Sequence, residues 1–345
     1  MTQINRRTFG IMTGGLLASA AIPAFAQGGG GRVVIGTWGG DYQNLQQQHI
    51  ADTVLKDSGL QVIYDPASDT VRKAKLLAER RLPRGTMDIA CMTRQGSNEL
   101  FINGALEELD ETKIPNLSKV LPFIKTNYAV PHIYTGRVIL YNPDHVSPAP
   151  TSYADLWDPK YAGKIGVIDI QYQTTIESAA MIAGGGPSDY EPGKAKLMEL
   201  KEQGVKIYPT NEAMAQALKS GEVVMCIMWN ARGYMWKNAG INIEIAVPQE
   251  GIALYLSDMC IPKNAPNKEA AYQYINAMLE KQPQIAFAEN MGYAPTNSEV
   301  KLPPELAAQV DYTLEQREKF IMPDLEYLLG IDASLQDWWN KEFKA

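Results

Sequence analysis

The sequence predicts an α/β protein of two lobes, each built on a doubly wound sheet, with two strands crossing between the lobes. Short apolar runs of strand length alternate with segments of helical periodicity along most of the 345 residues. This alternation is typical of repeated β-α-β units. A chain of this length usually forms two cores, yet no long linker divides it. We therefore expect one lobe to be inserted into the other.

The elements expected in the first part of the chain belong to one lobe, called lobe 1. Its predicted strands are 32–37, 60–64 and 87–92. Its predicted helices are 42–56, 69–81 and a helix that Ser97 caps and that ends at Gly104. Residues 115–131, which contain several prolines, are expected to be irregular.

The elements of the inserted lobe, called lobe 2, follow the same pattern. Its predicted strands are 137–141, 165–168, 205–208, 223–228 and 243–247, and its predicted helices are 174–183, 194–203 and an Asn211-capped helix ending at Gly221. A strand at 254–261 and a helix at 267–279 return the chain to lobe 1. We assign 32–135 and 259–300 to lobe 1, 136–258 to lobe 2, and 301–345 to a C-terminal helical segment packed on the lobes.

The first 26 residues predict an export signal. Paired Arg6-Arg7 precedes Phe9, an apolar run covers 10–21, and Ala24-Phe25-Ala26 resembles a cleavage site. The paired arginines indicate twin-arginine export, and so a periplasmic protein. A membrane anchor is the alternative, but the run is shorter than the ~20 apolar residues that a span requires.

Charge and cysteine content restrict the function. The formal net charge is -7 and no basic stripe occurs, which argues against a nucleic-acid partner. Cys91, Cys226 and Cys260 lie in apolar runs without metal-ligand spacing. We expect buried free thiols; a Cys226–Cys260 disulfide is the alternative.

No chemistry-bearing motif predicts catalysis. The three histidines, His49, His132 and His145, have no ligand spacing, and no nucleophile elbow, zinc motif or phosphate-binding loop occurs. We therefore expect neither an enzyme nor a cofactor nor a metal.

Aromatic and hydrogen-bonding residues recur where the predicted strands end. The carboxyl ends of strands in open α/β sheets border ligand clefts. The candidate cleft residues are Trp38, Tyr42, Thr93, Arg94, Gln95, Tyr172, Thr174, Thr175, Trp229, Asn230, Arg232, Tyr255 and Ser257.

Five sequence blocks resemble one family. They are Thr37-Trp38-Gly39-Gly40, residues 156–164 (LWDPKYAGK), Met228-Trp229-Asn230, residues 248–251 (PQEG) followed by Ile261-Pro262, and residues 292–297 (GYAPTN). The chain resembles the periplasmic substrate-binding proteins of ABC importers, in the spermidine/putrescine-binding branch. The resemblance implies two lobes that close on a small solute and present it to a membrane permease.

The resemblance also implies roles for single residues. The aromatic cleft positions of the family fall on Trp38, Tyr42, Trp229, Tyr255 and Tyr293, its serine after the third strand on Thr93, and its neighbouring tyrosine on Gln95. The acids that hold ammonium groups in polyamine binders fall on Gln171 or Tyr172, on Thr174 or Thr175, and on Ser257. Asp258 is one position further along the strand and should point to the other side.

These departures favour a different ligand. Unpaired buried ammonium groups would cost several kcal/mol each, and the guanidinium groups of Arg94 and Arg232 suit a carboxylate. We expect a monomeric binding protein for a small amine-bearing solute that carries a carboxylate, such as an amino-acid derivative or an opine. A polyamine is the alternative, for which Asp41, Asp169 or Asp258 would have to reach the cleft. Ferric iron and a periplasmic enzyme are less favoured.

Overall fold

The computed structural model describes residues 31–345, so the predicted signal peptide lies outside the described residues. The strands are β1 Arg32–Thr37, β2 Gln61–Pro66, β3 Ile89–Thr93, β4 Val130–Tyr141, β5 Ile165–Ile168, β6 Lys206–Tyr208, β7 Met225–Trp229, β8 Glu244–Ala246, β9 Ile252–Cys260, β10 Ala294–Pro295 and β11 Phe320–Ile321. The α-helices are α1 Gly40–Gln46, α2 Asp69–Glu79, α3 Arg94–Ile102, α4 Tyr172–Ile182, α5 Glu191–Glu202, α6 Asn211–Lys219, α7 Asn230–Asn238, α8 Lys268–Met278, α9 Lys281–Met291, α10 Pro304–Val310, α11 Leu314–Glu318 and α12 Leu325–Trp338.

The strands form a continuous curled sheet in the order β2-β1-β3-β9-β4-β7-β5-β6. Strands β1, β2 and β3 of lobe 1 pair in parallel, as do β5, β6 and β7 of lobe 2. Parallel pairs need crossover connections, and the helices between these strands supply them. The predicted α/β architecture is confirmed.

Two antiparallel strands connect the lobes. The first half of β4 pairs with β9, whereas residues 137–141 pair with β7 of lobe 2. Residues 257–260 of β9 pair with β3 of lobe 1. We therefore propose that the second crossing lies near residues 252–254, a few residues before the boundary predicted from the sequence.

The C-terminal segment makes a third connection. Its strand β11 runs parallel to the start of β9, at the crossing. Before β11, Tyr312 belongs to the core of lobe 1. After β11, Leu328, Leu335 and Trp339 pack into the core of lobe 2. The segment thus contacts both lobes and passes between them.

Several helix and strand starts differ from prediction. Thr210 rather than Asn211 caps α6, because its hydroxyl accepts the Ala213 amide. Helix α3 begins at Arg94 because Thr93 Oγ1 accepts the Gly96 amide at 3.1 Å, so Thr93 and not Ser97 caps it. Strand β4 begins at Val130, inside the stretch expected to be irregular. Its register shifts between Pro131 and Ile133, a bulge that accommodates the proline.

The cysteines are free and buried. Cys226 lies in β7 of lobe 2 and Cys260 at the end of β9 beside β3. The two thiols belong to different cores, so the alternative of a Cys226–Cys260 disulfide is wrong.

Candidate functional site

A cavity of about 490 Å³ lies between the lobes, next to the crossing strands. Nine of the residues predicted for the cleft line it, namely Trp38, Thr93, Arg94, Gln95, Thr174, Trp229, Arg232, Tyr255 and Tyr293. They come from both lobes and from β9. The volume is that of a site for a small molecule.

Aromatic rings form a continuous wall of the cavity. The rings of Trp229 and Tyr255 lie 5.4 Å apart between centroids, and those of Tyr255 and Tyr293 lie 6.3 Å apart. Trp38 comes directly after β1, and its ring packs against the guanidinium of Arg72 at 5.2 Å. Such a wall offers apolar area and ring faces for a cation.

Arg94 is occupied by an ion pair inside lobe 1. Its Nε and Nη2 donate to the two carboxylate oxygens of Asp258 at 2.6 and 2.8 Å, and Nη2 also donates to the Ile124 carbonyl. Burial lowers the pKa of Arg94, but the charge of Asp258 outweighs it, so the pKa is raised overall. Arg94 therefore neutralises Asp258, and of the two arginines predicted to meet a ligand acid only Arg232 is without such a pair among the described residues.

A second ion pair lies in the lobe 2 wall. Arg137, on β4, contacts Glu177 of α4 through Nη2 and Oε2 at 2.7 Å, and both side chains are buried. Nη1 donates to the Thr174 carbonyl and the Ser178 hydroxyl. The guanidinium lies 5.3 Å from the centroid of the Trp229 ring. Glu177 is thus neutralised by a neighbour, as is Arg137.

Arg232 differs from these two arginines. Among residues 31–345, no carboxylate lies within ion-pair distance of its guanidinium; its recorded hydrogen bond is a 3.9 Å contact to the Met235 sulfur. Burial raises the pKa of Tyr255 and of Tyr293, and the positive charge of Arg232 acts against that rise at both phenols. Arg232 therefore brings an uncompensated positive charge to the aromatic wall.

The acids that a polyamine would require lie elsewhere. Asp41 is exposed. Asp169 accepts bonds from Trp339 and Lys344, and the buried Asp258 is paired with Arg94. Within the described part of the chain, Glu177 is the only acidic side chain that lines the cavity.

Tyr42, predicted to line the cleft, is part of the lobe 1 core. Its hydroxyl bonds the Nε2 of His132, and its ring contacts Phe287. Burial raises the pKa of Tyr42 well above its ordinary value. Burial lowers the pKa of His132 from 6.5 to about 3, so the imidazole stays neutral in the folded protein.

We expect His132 to make folding sensitive to acid. The unfolded chain takes up a proton on this imidazole below pH 6.5, whereas the folded chain does so only near pH 3. The free energy of unfolding should therefore fall by up to about 1.4 kcal/mol per pH unit within that window. Urea unfolding at several pH values between 7.5 and 5 measures this dependence. The free energy of unfolding should fall less with decreasing pH for His132→Gln than for the exposed control His145→Gln; an equal fall in the two variants would contradict this role.

Four other predicted residues lie outside the cavity lining. The Tyr172 hydroxyl bonds Asp332 of α12. Thr175 is buried, with its hydroxyl on the Gln171 carbonyl. Asn230 donates to the Gln309 carbonyl at 2.8 Å and lines a smaller cavity of about 300 Å³. Ser257 is fully buried within β9.

Several lining residues were missed by the sequence analysis. They include Arg137, Glu177, Tyr190, Asn211, Ile321, Pro323 and Leu328. Glu177 carried a usable signal, since it lies three residues after Thr174 on the same helix face and is the only acid in an otherwise neutral helix. Ile321 carried none, because a two-residue strand has no periodicity to detect.

Comparison with known proteins decides the family. Residues 49–313 match the family model of the bacterial extracellular solute-binding proteins. The chain belongs to this family. The spermidine/putrescine-binding periplasmic protein of Escherichia coli K12 is 28% identical over 318 residues, which cover 86% of this chain and 88% of the relative.

Solved structures share the fold of this solute-binding protein. A structure described as a GABA receptor aligns with a TM-score of 0.79 and 25% identity, over 91% of this chain and 98% of that one. The binding protein AgtB from A. tumefaciens R10, in complex with agropinic acid, aligns with a TM-score of 0.71 and 21% identity, over 91% and 99% of the two chains.

The solute-binding protein is therefore a periplasmic component of the kind that serves ABC importers, and its family carries solutes for transport rather than transforming them. Across residues 31–345, none of the helices is long and apolar enough to span a membrane.

Proposed function

We propose that this solute-binding protein captures a small amine-bearing solute that also carries a carboxylate, an amino-acid derivative or an opine-like compound. The observation that carries the proposal is Arg232, whose charge has no ion-pair partner among the described residues. A carboxylate is the natural partner for a guanidinium that lines a cavity, because the planar fork can donate two parallel hydrogen bonds.

The aromatic wall accounts for the amine. An ammonium placed against Trp229, Tyr255 or Tyr293 gains about 0.5–2 kcal/mol from the ring faces. The same wall packs against the carbon chain of the ligand. Thr93 and Gln95, which line the lobe 1 side, supply neutral hydrogen bonds.

A polyamine fits this cavity less well. Each of the two ammonium groups of a diamine needs a negatively charged partner. The acidic side chain that lines the cavity, Glu177, is already paired with Arg137 at 2.7 Å. Arg232 would also repel a second ammonium. Polyamines remain the alternative ligand, because one relative is named for spermidine and putrescine. The structure described as a GABA receptor supports a ligand that carries both an ammonium and a carboxylate.

The partner of the loaded protein is an ABC permease. Both lobes and the C-terminal segment border the cavity, so lobe closure over the solute would change the surface offered to a membrane complex. We expect the protein to act as a monomer in this exchange.

Thermal melting against matched ligand pairs tests the proposal. Ornithine and putrescine, arginine and agmatine, and lysine and cadaverine differ within each pair only by the carboxylate. GABA, octopine and ferric citrate complete the panel. A ligand at 100 times its Kd should add about 2.7 kcal/mol to stability. We expect stabilisation by carboxylate members; stabilisation by the diamines alone would overturn the proposal in favour of polyamine binding.

A further inference from the structure

Two side-chain amides meet at the lobe 2 edge of the cavity. Gln171 follows β5 and Asn211 begins α6 after β6, and both line the cavity. The Nε2 of Gln171 donates to the Oδ1 of Asn211 at 2.7 Å and lies 3.6 Å from the Met228 sulfur. We call Gln171 and Asn211 the amide pair.

Hydrogen bonds at the starts of α4 and α6 fix the backbone that carries the amide pair. The Gln171 carbonyl accepts the hydroxyls of Thr174 and Thr175 at 2.8 and 3.0 Å, which fixes the entry into α4. The Thr210 hydroxyl accepts the Ala213 amide and so caps α6. Both amides therefore stand on ordered helix starts.

One acceptor and one donor of the pair remain for a ligand. The Oε1 of Gln171 and the Nδ2 of Asn211 have no hydrogen-bond partner among residues 31–345. Neither is one of the buried polar atoms that lack a partner, and both residues line the cavity. An ammonium could satisfy only the acceptor, and a carboxylate only the donor. A hydroxyl or a carboxamide both donates and accepts, so it satisfies both.

We propose that the amide pair is a subsite for an uncharged hydroxyl or carboxamide group at the end of the ligand remote from its carboxylate. This deepens the proposed function and rests on it for the position of the carboxylate. Strands β7, β5 and β6 are neighbours in the sheet, and a strand spacing of about 4.8 Å places the pair roughly 5–10 Å from Trp229. Because Arg232 follows Trp229 by three residues in the first turn of α7, chains of about five or six carbons are the lengths to test.

Five-carbon 2-amino acids with different ends provide the probes. Glutamine and 5-hydroxynorvaline end in neutral polar groups, ornithine in an ammonium, glutamate in a carboxylate and norvaline in a methyl group. The six-carbon series (6-hydroxynorleucine, lysine, 2-aminoadipate and norleucine) covers a longer span. Calorimetry on the mature wild-type protein should give about tenfold tighter Kd for the neutral polar ends than for the other ends, as expected for one or two neutral hydrogen bonds.

A charge substitution should change this ranking. Gln171→Glu, of nearly the same shape, should shift preference toward ornithine or lysine by at least about tenfold, because an ammonium then meets a carboxylate. Gln203→Glu is a matched control, since Gln203 binds the Trp157 carbonyl outside the cavity; it should leave the ranking unchanged.

The outcomes separate this proposal from the proposed function. If the 2-amino acids bind but all tails bind alike, or if Gln171→Glu leaves the order unchanged, the amide-pair subsite is overturned and the proposed function stands. If only putrescine and cadaverine, run alongside, bind, both fall. The subsite is also overturned if no compound of either series binds at 10 mM. That concentration is about ten times the ~1 mM upper end of typical substrate constants.

Discussion

Arg232→Gln should reverse the charge preference of this solute-binding protein. Loss of the guanidinium removes a charge-assisted contact from a carboxylate ligand, which should cost about 2–3 kcal/mol, or roughly 30- to 150-fold in Kd. A diamine such as putrescine should bind the variant more tightly than wild type, because the like charge at Arg232 is gone. Calorimetric titration of ornithine and putrescine into both proteins measures the two changes.

Lys237→Gln is the control for Arg232→Gln. Lys237 lies on the same helix, α7, and removing it changes the net charge equally, but it pairs with Glu244 away from the main cavity. Its substitution should leave both affinities within about twofold, since exposed ion pairs contribute little. Equal losses in the two variants would show that Arg232 acts only through the overall charge of the protein.

Arg94→Ala should reduce stability far more than selectivity. It leaves Asp258, which is fully buried, without its ion-pair partner, and such a loss typically costs about 3–5 kcal/mol. Urea unfolding at pH 7 should show this decrease. The preference for ornithine over putrescine should persist in the folded variant, because Arg94 neutralises Asp258 rather than a ligand.

Two comparisons make the Arg94 result specific. The double variant Arg94→Ala/Asp258→Ala should recover part of the lost stability, since the uncompensated carboxylate is also removed. Lys73→Ala, which breaks a partly exposed pair with Glu99 between α2 and α3, should cost at most about 1 kcal/mol. If Arg94→Ala unfolds no more easily than Lys73→Ala, the ion pair does not stabilise lobe 1.

The local patterns of the sequence were sufficient for most of the fold. The apolar runs that became β1, β5 and β7 identify buried strands without any knowledge of their partners. Ion pairs between residues far apart in the sequence could not be predicted from such local patterns. Arg94 and Asp258 are 164 residues apart, and the sequence around either residue does not indicate that the two form an ion pair. An arginine after a strand therefore looked the same whether its charge was free or neutralised.

The candidate site was predictable where it follows strand ends and unpredictable where it depends on packing. Trp38, Trp229 and Tyr255 lie in or directly after strands that border the cavity, as expected for this topology. Tyr42 follows the same strand as Trp38 but lies within α1, where its side chain is buried and its hydroxyl bonds His132. The contribution of 301–345 was foreseen as packing on the lobes, but not as part of the cavity wall.

A crystal structure of the mature protein with the compound that gives the largest melting shift tests the central claim most directly. The account predicts a ligand carboxylate within about 3.2 Å of the Arg232 guanidinium, with the carbon chain against Trp229 and Tyr255. A ligand that lies in the aromatic cavity with only ammonium groups, and with Arg232 turned away from it, would contradict the account.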